Sequence, residues 1–532
     1  MKAPKKRSSG TSASNQQPRE IELKLELASG GSDVLLEHPA LAHAHPLPDQ
    51  SGHLHAVYYD TDDRALRRAG VSLRIRSKNG RAIQTVKAES GERGLTMDRG
   101  EWETPVDDAL DFAAIAETPL GSLLPDEAAR KAIKPLFTVE TERKAFEIEH
   151  DGAVIEMALD QAEASAAGRS LPFSEVELEL KQGEASALFA LARALSETAS
   201  LRLALVAKSE RGYRLLEDGS ICSFKAEKIT LPQDASCAAA FRIIGRNCLS
   251  QMMLNEALVR QTQNPAALHQ MRVGLRRLRA AISLFKSQLL ADGESAEIRD
   301  ALRCAGQPLG EARDLDVLLE RLRAADEAGH DSSDLHDSSD RHVSSDPHVS
   351  SDLEEIEQRR SQAYRNLLDT LESPRFMDVV LRTAAWIEAG AWSIGHEGGQ
   401  KKALKRPARD FAGTELSRRW RRIRKLARHM RDVDDAERHE LRIRIKKLRY
   451  GAEFFGSLFA SDKAQKRRKK LLEPLEDLQE LLGELNDLAV HGSLVPSLST
   501  LSPESIDRRR NKLLDKAEAA AAKLDEAKPF WM

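Results

Sequence analysis

The sequence predicts a multidomain α+β protein, with an N-terminal antiparallel β-barrel carrying peripheral helices and a C-terminal all-α half made of duplicated helical bundles. Stretches in which charged and apolar residues strictly alternate are confined to roughly the first 213 residues. From about Cys237 to Asp525 the apolar periodicity is helical, with almost no strand signal. Within that second half a basic helix and the element after it occur twice at one spacing, the mark of a duplication. A chain of 532 residues also exceeds what one hydrophobic core usually organises, so two or more domains are expected.

The first strand reads Glu20-Ile21-Glu22-Leu23-Lys24-Leu25-Glu26-Leu27. Successive strand side chains point to opposite faces, so Glu20, Glu22, Lys24 and Glu26 share one face and the apolar residues the other. A solvated face would explain one such strand. The pattern recurs, however, in Leu73-Arg74-Ile75-Arg76, in Gln84-Thr85-Val86-Lys87 and in Glu101-Trp102-Glu103. It returns in Glu156-Met157-Ala158-Leu159-Asp160 and again from Ser174 to Leu180. If these strands close into one barrel, acids and bases meet inside it, a costly lining unless something polyvalent fills it. A polyphosphate anion with divalent metal ions is the natural filling.

Residues 1–18 read as a disordered leader with Lys2, Lys5, Lys6 and Arg7 but no apolar segment, hence not a secretory signal. The β-rich domain spans 19–217, a linker 218–236, and the helical domain 237–527. A low-complexity insertion at about 328–353 carries His330, His336, His342 and His348 at a six-residue period. It is too poor in apolar residues to pack and reads as an expanded loop, with a metal-binding tract as the alternative. A second loop is expected around Gly395 to Lys405. The four cysteines have no Cys-x-x-Cys spacing, which speaks against zinc and disulfides and for a reducing compartment. No run approaches the roughly 20 apolar residues of a membrane helix, so a cytoplasmic protein without a membrane partner is expected.

With 31% charged and 5% aromatic residues, the chain is helix-rich and heavily solvated, and its net charge of -3 hides a strong local imbalance. Lys and Arg crowd residues 401–449 and the run Lys466-Arg467-Arg468-Lys469-Lys470. In the duplicated unit, His269, Arg272, Arg276 and Arg279 are matched by His439, Arg442, Lys446 and Arg449. Each copy is followed by a related element, Leu309-Gly310-Glu311 to Leu315 and Leu482-Gly483-Glu484 to Leu488. On a helical wheel each basic set forms a stripe beside an apolar one: Leu275, Leu278, Ile282 and Phe285, then Leu441, Ile445, Leu448 and Phe455. Such residues border a groove between helices, and two facing copies would gather positive charge in one channel. A solvated face laced by i,i+4 pairs is disfavoured because the stripe contains no acid. Few aromatics are placed to stack on bases, so a base-free polyanion fits better than nucleic acid.

The N-terminal pattern, Glu20-x-Glu22-x-Lys24 followed by basic strands and a late Glu-x-Glu strand, resembles the CYTH or triphosphate tunnel metalloenzyme superfamily over roughly residues 19–217. The resemblance implies an antiparallel β-tunnel that binds a linear triphosphate and cleaves it with Mg2+ or Mn2+. It implies that Lys24, Arg74, Arg76, Lys87, Arg143 and Lys208 grip the triphosphate. Glu20, Glu22, Asp160, Glu175 and Glu177 would hold one or two metal ions, and Glu177 or Glu179 would assist as base. Glu101 and Glu103 would orient the basic residues, and Glu26 would lie at the tunnel mouth.

The helical half resembles the CHAD domain over about 237–525, on both His-x-x-Arg helices and both Gly-Glu elements. That family implies binding of long-chain inorganic polyphosphate, here by His269, Arg272, Arg276, Arg279, His439, Arg442, Lys446 and Arg449. The expected whole is a metal-dependent inorganic triphosphatase, giving diphosphate and phosphate, tethered to a polyphosphate-binding domain and so located near polyphosphate granules. The alternatives are a non-catalytic polyphosphate receptor or scaffold, and a CYTH enzyme acting on thiamine triphosphate or ATP.

Overall fold

The computed structural model describes residues 19–28, 30–89, 95, 97–217, 223–286, 293–331, 347–393, 398–494 and 503–532. The leader 1–18, Cys222 and the centre of the histidine insertion lie outside the described residues.

The strands are β1 (Arg19–Leu27), β2 (His45–Pro46), β3 (Gly52–Asp60), β4 (Val71–Lys78), β5 (Arg81–Glu89), β6 (Met97–Val106), β7 (Lys134–His150), β8 (Ala153–Ala166), β9 (Arg169–Gln182) and β10 (Leu201–Leu203). Short helices α1 (Ser32–Leu36), α2 (Ala65–Arg68), α3 (Phe112–Ala116), α4 (Glu127–Lys131) and α5 (Ser186–Ser196) lie between them, and α6 (Lys208–Leu215) follows β10. The helical half comprises α7 (Cys237–Thr262), α8 (Pro265–Phe285), α9 (Gly293–Asp331), α10 (Pro347–Glu372), α11 (Pro374–Ala389), α12 (Gly398–Lys405), α13 (Ala408–Ala427), α14 (Asp435–Phe454), α15 (Asp462–Leu494) and α16 (Pro503–Glu526). The chain divides into two compact units, the first holding β1 to β9 with α2, α3, α4 and α6, the second nearly all of α1, α5, β10 and everything from α7 onward. Among the described residues no helix is long and apolar enough to cross a membrane.

In the first unit the strands follow the order β1-β6-β5-β4-β3-β7-β8-β9, and β9 pairs back onto β1, closing an antiparallel barrel. The antiparallel β-barrel read from alternation is therefore present, and the charged rows point inward. Outward rows are apolar: Val71, Leu73, Val86 and Ala88 pack with Leu66 of α2 and Ile115 of α3. The interior is not charged throughout. Over part of its length Ala56, Tyr58, Phe137, Val139, Ala162, Ala164 and Ala166 form an apolar cluster with Tyr213 of α6. Helix α6 packs on β7, β8 and β9 at that end, and a Cβ on Gly212 would lie 2.1 Å from the Phe137 ring, so only glycine lets the helix seat. The Tyr213 hydroxyl donates to buried Asp60 at 2.7 Å, fixing the same end.

The second unit is all helical apart from short β10, in line with the sequence. The two basic helices begin alike: Asn264 caps α8, accepting from Ala266 and Ala267, and Asp434 caps α14, accepting from Glu437 at 2.8 Å. Each cap stands five residues before the histidine of its copy. The apolar stripes expected beside the basic ones are buried. Few aromatics serve the whole unit because they are concentrated: Phe241 meets Phe285, Trp386 and Trp392 at 5.3, 5.3 and 5.0 Å, and Phe285 stacks on Phe411 at 4.8 Å.

Two expectations need correction. The segment around 395–405 is not a loop throughout, since α12 occupies Gly398–Lys405. The histidine insertion is helical at its margins, where α9 extends to Asp331 and α10 starts at Pro347, so His330 and His348 have helical backbones; His336 and His342 lie outside the described residues. Of the free thiols, Cys237 and Cys248 are buried and Cys304 is exposed.

Candidate active site and basic channel

Cross-strand register explains why the inward charges meet. Along β1 and β9, Glu22 faces Glu179, Lys24 faces Glu177 and Glu26 faces Glu175. On β8, Glu156 faces Glu179 and Asp160 faces Glu175, and Asp160 faces Arg143 of β7. Across the barrel Arg74 faces Thr85 and Tyr58, while Lys87 faces Glu101. These rows enclose a cavity of about 530 Å³.

Glu22, Lys24, Arg74, Arg76, Lys87, Arg143, Glu177, Glu179 and Lys208 all line that cavity. Asp160 and Glu175 do not: both are 0% exposed and form a layer behind the wall. Glu20 contributes its backbone to β1, opposite Arg99, and its side chain is outside the described part. Glu26 does not line the cavity but pairs with Arg211 of α6 at 3.5 Å. Glu101 and Glu103 hold Lys87 at 3.0 Å and Arg76 at 3.3 Å, an orienting arrangement. Sequence reading missed Tyr58, Glu156 and Lys181 as lining residues.

Glu177 is the hub of the wall. It accepts from Lys24, from Lys208 at 2.7 Å and from Arg143 at 2.6 Å. Arg143 also forks onto Asp160 at 2.7 and 2.6 Å, and Lys208 reaches Asp160 at 2.5 Å and Glu175 at 2.8 Å. Burial alone would raise the Glu177 pKa, but Lys208, Lys24 and Arg143 outweigh it and hold the carboxyl well below the usual range. Asp160 is lowered too, burial being outweighed by Lys208 and Arg143. Burial opposes the charge on Lys24 and Lys208, yet the surrounding carboxylates raise both. Tyr58 shifts the other way from a buried phenol: burial is offset by Arg74, which lies 3.4 Å from its hydroxyl, and by Lys208 and Lys87, leaving its pKa lowered.

One carboxylate oxygen from each of Asp160, Glu175 and Glu177 lies within 4.8 Å of the others. Both Glu175 oxygens are buried without an aligned hydrogen-bond donor, although the Lys208 ammonium supplies charge at 2.8 Å. Hard oxygen donors with an unsatisfied buried pair fit a divalent cation such as Mg2+ or Mn2+.

In the helical unit α8 and α14 are in contact, and their basic residues converge. Lys446 is pushed down to about 8 by burial and by Arg442, Arg276, Arg272 and Arg449 around it. The Nε groups of Arg276, Arg442 and Arg449 are buried without a hydrogen-bond partner. Arg272 donates to the Gly310 carbonyl at 2.7 Å and to Asp314 at 2.9 Å. A Cβ on Gly483 would lie 3.0 Å from the Arg442 guanidinium, so that glycine makes room for the arginine opposite, whereas one on Gly310 would meet Arg272 at an ordinary 3.8 Å. His269 is lowered by burial and by Arg313, Arg276 and Arg272, whereas His439 meets Asn486 at 3.0 Å. Arg279 stands with Arg303 and Lys447 rather than in the ring around Lys446. Arg277, between the basic positions, is buried and bonded to Asn247, Gln251 and Glu453 at 3.0, 2.8 and 2.6 Å, a core role.

A closed antiparallel barrel with paired acids and bases in its cavity, joined to a duplicated helical unit with a basic centre, defines a two-part protein suited to oxygen-rich anions. A CYTH-domain model matches residues 18–213 and a CHAD-domain model residues 243–496, and the chain is a CYTH–CHAD protein. The inorganic triphosphatase of Haemophilus influenzae is 29% identical over 199 residues, covering 37% of this chain and 55% of that protein. The chain thus spans about half the length of this relative. The crystal structure of the CHAD domain from the plant Ricinus communis is 28% identical, covers 58% of this chain and 98% of its own, and has a TM-score of 0.45. A putative adenylyl cyclase from Hippeastrum, described as having a dominant triphosphatase activity, is 20% identical over 37% of this chain and 95% of its own, with a TM-score of 0.29.

Proposed function

We propose that the N-terminal unit is a metal-dependent inorganic triphosphatase and that the C-terminal unit binds inorganic polyphosphate. The observation that carries the first part is one cavity in which Glu22, Glu177 and Glu179 stand among Lys24, Arg74, Arg76, Lys87, Arg143 and Lys208. A pure anion receptor gains nothing from acids in its site, whereas a phosphate-plus-cation site needs both. The second part rests on Lys446 and the arginines around it, cations held together without enough acid to neutralise them.

Catalysis of this kind is mostly positioning and charge neutralisation. Arg74, Arg76 and Arg143 offer planar forks to phosphate oxygens, and Lys24, Lys87 and Lys208 offer point charges. An entering triphosphate competes with Glu177 for Lys24, Lys208 and Arg143, so substrate binding frees that carboxylate. A divalent cation would be held by Glu177 with Asp160 and Glu175 beside it, together with Glu22 and, on the same strand face, Glu20, and it would neutralise phosphate oxygens and acidify a water. Glu179, which stands outside the cluster of Lys24, Lys208 and Arg143 and pairs with Lys181 at 2.7 Å, takes the proton as water attacks the terminal phosphorus, the bridging P–O bond breaks and diphosphate leaves. Asp160 and Glu175 position Lys208 and Arg143 from behind. Among the described residues Tyr58 is the one aromatic side chain lining the cavity, and it is engaged with Arg74 rather than placed as a clamp for thiamine or adenine, which favours an inorganic substrate.

The test is phosphate release from inorganic triphosphate, ATP, thiamine triphosphate and long-chain polyphosphate, each with Mg2+, Mn2+ or EDTA. Metal-dependent release from triphosphate is expected. Tight polyphosphate binding with no release from any substrate would replace the enzyme by a receptor.

A further inference from the structure

The two copies in the helical unit share the spacing of their basic residues, and at two positions on the helices that follow they differ in charge. On α8 the steps from His269 to Arg272 and on to Arg279 equal those from His439 to Arg442 and Arg449 on α14. On the following helices Gly310 answers Gly483, each glycine lying against the guanidinium of its own copy, Arg272 or Arg442.

With that contact as the anchor, the second copy shows which positions meet. Arg449, seven residues after Arg442, donates at 2.6 Å to Glu476, seven before Gly483, and at 2.9 Å to Gln479. His439, three before Arg442, meets Asn486, three after Gly483. In the first copy a Cβ on Gly306 would touch Leu275, which sets α8 and α9 in the same antiparallel register. The first-copy positions that answer Glu476 and Asn486 are Arg303 and Arg313. An acid and an amide have thus become two arginines. Arg303 faces Arg279 and Arg313 faces His269, and each lowers the pKa of its neighbour alongside burial.

The counter-charges nearby are weak. Asp300 is 3.7 Å from Arg303 across an exposed pair. Asp316 is 3.9 Å from Arg313 but is already held by Arg360 at 2.7 Å and Tyr364 at 2.9 Å. Among the described residues no carboxylate pairs with Arg279. At these outer positions the second copy pairs Arg449 and His439 while the first sets arginine against Arg279 and His269; nearer the centre, Arg272 is paired with Asp314 at 2.9 Å.

We infer that the α8–α9 half is the principal grip on the phosphate chain, that Arg303 and Arg313 contact it directly, and that the α14–α15 half is a weaker hold beyond the shared centre at Lys446. This rests on the polyphosphate-binding reading above. The bound chain is then held unequally along its length, most tightly where Arg279 and Arg303 flank it.

Full-length protein is titrated with long-chain polyphosphate by calorimetry at several salt concentrations. Arg303→Glu recreates in the first copy the pair that Arg449 makes with Glu476, and should weaken binding about tenfold or more and flatten the salt dependence. Glu476→Arg makes the second copy resemble the first, and should tighten binding several-fold and steepen that dependence. Arg303→Gln, milder at an exposed position, should weaken binding in the same direction with unchanged circular dichroism. If all three variants stay within about twofold of the parent, or if substitutions in the two halves cost the same, the inequality of the halves is refuted. If the folded parent itself fails to bind polyphosphate, the underlying reading falls, a result separable from the first.

Discussion

Glu177 combines two demands that rarely coexist, since it must stay anionic while buried, and three cations make that possible. Glu177→Gln should lower triphosphate turnover by about a hundredfold or more, measured as kcat/KM with saturating Mn2+. It should also destabilise the barrel by about 3–5 kcal/mol, because Lys24, Arg143 and Lys208 lose a buried partner. The lowered pKa values of Glu177 and Asp160 have a pH consequence. In the folded barrel these groups bind fewer protons than in the unfolded chain, so their stabilisation is present above the ordinary carboxylate pKa, near 4, and is lost as pH falls below it. Melting temperature of the barrel should therefore drop steeply below about pH 4, and a flat profile there would contradict the ion network. Lys446 works with the opposite sign: it is half-deprotonated near pH 8 in the free protein, and an anion beside it restores its charge. Polyphosphate binding at pH 8–9 should take up protons, visible as a buffer-dependent calorimetric enthalpy, and should weaken as pH rises through that window. At this scale the alternation of β1 and β9 made Glu22, Lys24, Glu177 and Glu179 legible. Depth was not legible, because alternation gives the face of Asp160 and Glu175 but not that the neighbouring rungs and α6 would cover them. Tyr58 was invisible because β3 reads Gly-His-Leu-His-Ala-Val-Tyr-Tyr-Asp, with no charged row to mark its inward face.

Among elements, α6 and the Gly-Glu segments show how a helix can be placed by what it lacks. Gly212→Ala would put a methyl group 2.1 Å from the Phe137 ring, so α6 should unseat and draw Lys208 out of the cavity wall. Triphosphate hydrolysis should fall while polyphosphate binding is kept, and retained hydrolysis would mean that α6 does not position Lys208. Gly483→Ala tests the other element. Alanine favours the helix by about 1 kcal/mol over glycine, but its Cβ would crowd the Arg442 guanidinium at 3.0 Å. Thermal stability should hold or rise while polyphosphate affinity falls several-fold. The duplicated motif was readable because the two copies share residue types and spacing; the matching N-caps Asn264 and Asp434 belong to it too. Arg303 and Arg313 were not readable, since their role depends on the antiparallel register of α8 and α9, and no motif on one helix encodes its neighbour's phase.

For the whole molecule, the division into a barrel and a helical unit followed from where period-two alternation gives way to helical periodicity. The aromatic economy of the second unit makes its core sensitive: Phe285→Ala, which removes a ring shared by Phe241 and Phe411, should cost about 3–5 kcal/mol in chemical denaturation. The barrel carries a further consequence of its apolar inner end. Anions have no polar path through the apolar cluster of Phe137 and Tyr213 that backs the cavity, so whatever is made inside is expected to leave on the polar side, against the incoming traffic. Diphosphate keeps two of the three phosphoryl groups that the arginine and lysine grips recognise, and it should linger at the threshold as a competitor of the next triphosphate. On the triphosphatase reading, turnover should then slow as diphosphate accumulates.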